Sequence, residues 1–162
     1  MSAAKPLWTP SQQRIAKANV TRFARRAIRD WKLDFNNYPG FQRWAVDSSD
    51  QFWRSVWQFC EVRGVPGERT LIDADKMPGA KWFPDATLNY AENLLRRRDT
   101  GDAIVFWGED KVKRTVSFLD LHDEVARVAD SLLQLGLKPG DRVAGYLPNL
   151  PETIIAMLAA AS

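Results

Sequence analysis

One cysteine and one histidine are all that this chain of 162 residues has of the two residue types that build most redox and transition-metal centres. A lone Cys60 excludes an intrachain disulfide and a cysteine-built metal site, and a lone His122 excludes a histidine cluster. Cys60 falls within an apolar helical pattern and reads as a buried structural thiol. His122, beside Asp123 and Glu124, reads as a solvated residue on a polar helix face. Long uncharged runs are missing as well. The opening MSAAKPLWTPSQQ has no apolar core of signal-peptide length, and no segment reaches the length of a membrane span. These absences predict a cytoplasmic chain without a membrane span.

The loops that usually mark nucleotide and acyl chemistry are also missing. Neither G-x-G-x-x-G nor G-x-x-x-x-G-K-[ST] occurs, and the Gly-Pro loop at 64–67 follows a helical pattern instead of a strand. There is no G-x-S-x-G elbow, and one histidine cannot serve a Ser/His/Asp set. The acid pairs Asp73/Asp75 and Glu109/Asp110 sit in loop and turn, where turn chemistry accounts for them better than acid–base catalysis. Composition and spacing therefore assign no catalytic, cofactor-binding or metal-binding residue.

What is present is aromatic and unevenly charged. Seven Trp and eight Phe imply a dense aromatic core or surfaces meant to be covered. The formal net charge is only +3, yet Lys5, Arg14, Lys17, Arg22, Arg25, Arg26, Arg29 and Lys32 face one acid, Asp30, over residues 5–32. A solvated helix face is the ordinary meaning of such a block; an assembly module or an anionic-surface binder are the two rivals. Few bases relative to acids follow Lys32, which argues against nucleic acid, because phosphate tracking needs an extended positive surface.

Periodicity supplies the elements. Thr9 as N-cap, Pro10 in the first turn and Gln12 closing a capping box predict a single amphipathic helix over about 10–31, with Ile15, Phe23, Ala27 and Trp31 as its stripe. Residues 36–44, NNYPGFQRW, read as a loop. A second helix starts at Ser48 with Gln51 in a capping box, and 64–86 reads as ordered loop. Residues 88–95 form a short helix with Leu88, Ala91, Leu94 and Leu95 inward. AIVFW (103–107) and VKRTV (112–116) around the turn GED (108–110) predict a β-hairpin. Ser117 with Asp120 then caps a helix that Gly136 stops. RVAGYLP (142–148) reads as a buried strand, and Asn149 as the cap of a last helix, 151–162, whose Ile154, Ile155, Met157 and Leu158 face water unless something covers them. The fold class is α/β: a helical N-terminal region over 1–100, then over 101–162 a hairpin and the first strand–helix units of a layer truncated inside a domain.

Two stretches carry a resemblance. LKPGDRVAGYLPNLPETIIAMLAAAS (137–162), with TVSFLDLHDEVARVADSLLQLG before it, resembles an early structural segment of the acyl-adenylate-forming enzymes. KWFPDATLNYAENLL (81–95) and NYPGFQRWAVDSSDQFWRSVWQFC (37–60) are similar to the entry region of the acetyl-, propionyl- and acetoacetyl-CoA synthetases. Within that family Ala91, Glu92 and the opening PLWTPSQQRIAKANVTRFAR side with the acetoacetate-using branch, the opening having no counterpart in the acetyl branch. The resemblance implies a ligase that converts acetoacetate, ATP and CoA to acetoacetyl-CoA, AMP and pyrophosphate through an acyl-adenylate, with Mg²⁺, and a non-catalytic interaction module is the alternative. Another short-chain acyl-CoA synthetase, using acetate or propionate, is a further alternative. The resemblance also implies that the phosphate loop, the aspartate and arginine motifs and the lid lysine lie beyond residue 162. This chain alone is then expected to bind none of ATP, Mg²⁺ or CoA, and the remainder of its own chain to cover the last helix.

Overall fold

A computed structural model describes residues 6–109 and 112–162. The chain forms two compact units that divide between Thr87 and Leu88. Helices and two small antiparallel sheets make up both.

The first unit opens on α1 (Gln12–Lys17) and α2 (Asn19–Trp31). The single helix expected over 10–31 is thus two, because Ala18 is extended and serves as C-cap of one and N-cap of the other. The break is held locally: the Ala18 N–H and the Thr21 hydroxyl both donate to the Ile15 carbonyl. Ser11, not Thr9, caps α1, its Oγ accepting from the Arg14 N–H at 3.2 Å. Lys32 then turns left-handed and Leu33 N–H closes on Ile28 O, a helix stop without glycine.

The stretch expected as loop at 36–44 is mostly helix. In α3 (Tyr38–Asp47), Asn37 is the N-cap and accepts from the Gly40 N–H at 2.9 Å, and Pro39 occupies the first turn. Gly40 is required by its neighbour: a Cβ there would stand 2.7 Å from the Phe35 Cβ. α4 (Ser49–Phe59) follows without the capping box expected of Ser48 and Gln51, since the Gln51 carbonyl oxygen Oε1 instead accepts from the Trp44 indole. Phe23, Ala27 and Trp44 form the buried centre of this unit, with Leu33, Phe35, Phe41, Phe52, Val56 and Phe59 packed on it. Phe23 meets Phe41, Phe52 and Phe59 edge to face at 5.3–6.0 Å between centroids. Trp31 stays at the margin and donates its indole N–H to Ser55 Oγ at 2.7 Å. Cys60, expected buried, is exposed: it is the C-cap of α4, one residue past the last that the helix turns inward.

Residues 64–87 are ordered by pairing and by arginines. β1 (Leu71–Ile72) and β2 (Lys81–Trp82) pair antiparallel, and Val65 bridges Thr87. The Arg54 guanidinium donates to Thr70 Oγ1 and to the carbonyls of Gly67 and Glu68. Arg69 grips Asp85 through its guanidinium Nε and Nη2 and its backbone N–H. Gly67, at φ +73°, lies so close that a Cβ would sit 2.5 Å from the Asp85 Cβ. Gly67→Ala is therefore expected to lower stability by about 1–3 kcal/mol in urea unfolding, from strain and displacement of Asp85 together.

The second unit begins with α5 (Tyr90–Leu94), capped by Asn89, whose Oδ1 accepts from the Glu92 N–H. Ala91 is fully buried and Leu95 partly so, whereas Leu88 and Leu94 point outward. The hairpin is as expected: β3 (Asp102–Trp107) pairs antiparallel with β4 (Lys113–Ser117), in the register Val105↔Thr115 and Trp107↔Lys113. Gly108 and Glu109 lead into its turn; Asp110 lies outside the described residues. Ser117 Oγ accepts from the Asp120 N–H and donates to the Asp120 carboxylate, starting α6 (Phe118–Gln134) as predicted. Gly136 at φ +91° and Leu137 N–H to Leu132 O end it.

The segment 142–148 is not a strand. It pairs with nothing described, and Val143, Tyr146 and Leu147 are 50%, 105% and 55% exposed. α7 (Pro151–Ala160) is capped at Leu150 and not Asn149, without a side-chain hydrogen bond. Ile155, Leu158 and Ala159 pack with Ala91, Val116, Leu121 and Val125 into the core of this unit. Ile155 and Leu158, expected to face water, are thus covered, while Ile154 and Met157 do face it.

Candidate functional site

The most connected polar group in the second unit is Arg114. β4 places it opposite Phe106, and from there its guanidinium reaches Glu124 on α6 at 3.3 and 3.4 Å and Glu152 in the first turn of α7. One cation thus ties sheet and both long helices. The Glu152 carboxyl is held below its ordinary value by its own backbone N–H and by Arg114, and the Arg114 guanidinium is pushed further up by Glu152. Every partner in this cluster is engaged with another, so it clamps the unit together and offers no idle acid or base. Sequence reading missed it, although the signal was there. Arg114 shares one face of β4 with the buried Val116, and a charge beside a buried apolar neighbour implies partners from across the layer.

Beside the clamp runs a groove of about 450 Å³ lined by Val128, Leu147, Ile155 and Ala156 together with Glu124 and Glu152. A second, of about 700 Å³, follows β3 from Ile104 to Glu109 and meets Asn149–Pro151 and Ile154. The first is mainly apolar, whereas the second is lined by polar and apolar surface in similar measure. Leu147 of the exposed run 142–148 belongs to the first, and Asn149, just past that run, to the second.

The residues singled out earlier do not converge. Asp73, at φ +54°, accepts from Lys76 within its own turn, and Glu109 stands at the hairpin end. His122 is half-buried with Nδ1 3.2 Å from the Asp123 carboxylate, less solvated than its neighbours suggested. Arg26 and Arg29 both bond Asp30, Arg22 lies over the Phe59 ring, Arg14 and Lys17 belong to α1, and Lys5 lies outside the described residues. Hydrogen bonds from Arg69 hold the Asp85 carboxyl below its ordinary value, as those from Arg97 do for Asp99. Both pairs staple loops. Among the described residues no three His, Cys, Asp or Glu side chains stand where they could hold a metal ion, and no helix is long and apolar enough to cross a membrane. No glycine stands between a strand and the start of a helix, because β4 runs straight into α6. These residues therefore do not fit the phosphates or the magnesium of ATP, and no chemical step is routed through them.

Comparison with known proteins supplies what the geometry does not. Residues 94–162 match the family described as AMP-binding enzyme, and residues 38–94 match the acetyl-coenzyme A synthetase N-terminus. The chain is 41% identical to the acetoacetyl-coenzyme A synthetase of Rhizobium meliloti over 162 residues, which is 100% of this chain and 25% of that protein. It is 37% identical to the acetoacetyl-CoA synthetase of Danio rerio, over 98% of this chain and 24% of the relative. It is also 38% identical to an acetyl-coenzyme A synthetase of Streptomyces coelicolor, over 95% of this chain and 22% of that protein. This last match leaves at most about eight of the 162 residues uncovered, so most of the opening at 6–25 does have a counterpart in a protein of the acetyl type. The opening thus separates the two branches less than expected. The chain spans about a quarter of the length of the relatives it matches. Taken in order, the two matched stretches are those of an acetyl-coenzyme A synthetase N-terminus followed by the start of an AMP-binding enzyme, and along its length the chain is similar to about a quarter of these acetoacetyl- and acetyl-coenzyme A synthetases.

Proposed function

We propose that this chain is the N-terminal part of a cytoplasmic, ATP-dependent acetoacetyl-CoA synthetase. The observation that carries the reading is the 41% identity to the Rhizobium meliloti protein along the entire chain. The reaction is the joining of acetoacetate to CoA with ATP, releasing AMP and pyrophosphate through an acyl-adenylate. ATP supplies the leaving group and Mg²⁺ screens its phosphates; the groups that hold them belong to the remainder of the protein. Within this chain, residues 1–100 are the helical region of the acetyl and acetoacetyl type, and 101–162 begin the AMP-binding α/β domain with its first strand–helix units. The part played by the described residues is architectural. The hairpin, α6 and α7 form one side of a layer, Arg114 locks them, and the remainder of the chain covers Ile154, Met157 and the run 142–148.

A second reading, another short-chain acyl-CoA synthetase using acetate or propionate, is favoured by the 38% identity to the Streptomyces coelicolor protein. The two are separated by kcat/KM of the protein at the length of its relatives. Preference for acetoacetate over acetate by at least about tenfold, roughly 1.4 kcal/mol in transition-state binding, is expected. Equal use, or preference for acetate, would overturn the assignment.

A further inference from the structure

We draw no further inference here: the strongest candidate, the edge of β3 that no strand among the described residues pairs, with the groove of about 700 Å³ that follows it to residues 149–151, is an unpartnered surface in a chain spanning about a quarter of its relatives' length, and nothing in the structure shows what covers it.

Discussion

Phe23→Ala is expected to cost about 3–5 kcal/mol, enough to unfold most of the first unit's helical cluster. The ring is the hub of that cluster. It touches Phe41, Phe52 and Phe59 edge to face, and Trp44 stands 6.5 Å away at a tilt. Removing it deletes the transfer energy of a buried aromatic ring and each ring–ring contact at once. Collapse into the void is hindered, because its neighbours are themselves held: Trp44 by its bond to Gln51, and Phe41 by the capped first turn of α3. Urea unfolding followed by tryptophan fluorescence reads the effect directly, since Trp44 lies in the cluster. A loss under about 1 kcal/mol would mean that the aromatic side chains are not packed as described.

Leu158→Ala should be nearly as severe in the second unit, about 2–5 kcal/mol. Leu158 is 2% exposed and packs with Val125, Val116 and Ile155, joining α7 to α6 and the hairpin. Met157, its neighbour on the same helix, is 47% exposed. Met157→Ala should therefore stay within about 0.5 kcal/mol in the 162-residue chain. In the protein at the length of its relatives, the proposed cover over α7 makes Met157→Ala costly as well, and this difference between the two lengths reports the cover. Equal, large losses at both positions in the short chain would contradict the assigned faces of α7.

The contrast between those two side chains also shows where sequence reading reached and where it stopped. The hairpin and α6 were legible because their signals are local: alternation over five residues, a Ser117–Asp120 cap, a Gly136 stop. The break at Ala18 carries no glycine or proline to announce it, and depends on the Thr21 hydroxyl claiming a carbonyl of the helix before. The Pro39-Gly40 pair reads as a turn, yet in α3 both belong to a capped first turn whose glycine makes room for Phe35. Which of Ile154, Ile155, Met157 and Leu158 is covered depends on helix phase against α6, and composition alone made all four look alike. The run 142–148 failed for a deeper reason: a strand is a property of a pair, and apolar composition states a need for a partner without providing one. Of the functional site nothing was assigned from the residues, and the Arg114 clamp was overlooked because its acids lie ten and thirty-eight positions away. The likeness to acyl-CoA synthetases was legible through resemblance, carried by whole segments and not by any reacting group.

That division sets the decisive measurement: AMP release from ATP in the presence of acetoacetate, CoA and Mg²⁺, for the 162-residue chain and for the protein at the length of its relatives. The account predicts acetoacetate- and CoA-dependent AMP from the longer protein and none from the shorter, because the groups proposed to hold the phosphates belong to the remainder of the protein. AMP formed by residues 1–162 alone, dependent on both acetoacetate and CoA, would contradict it.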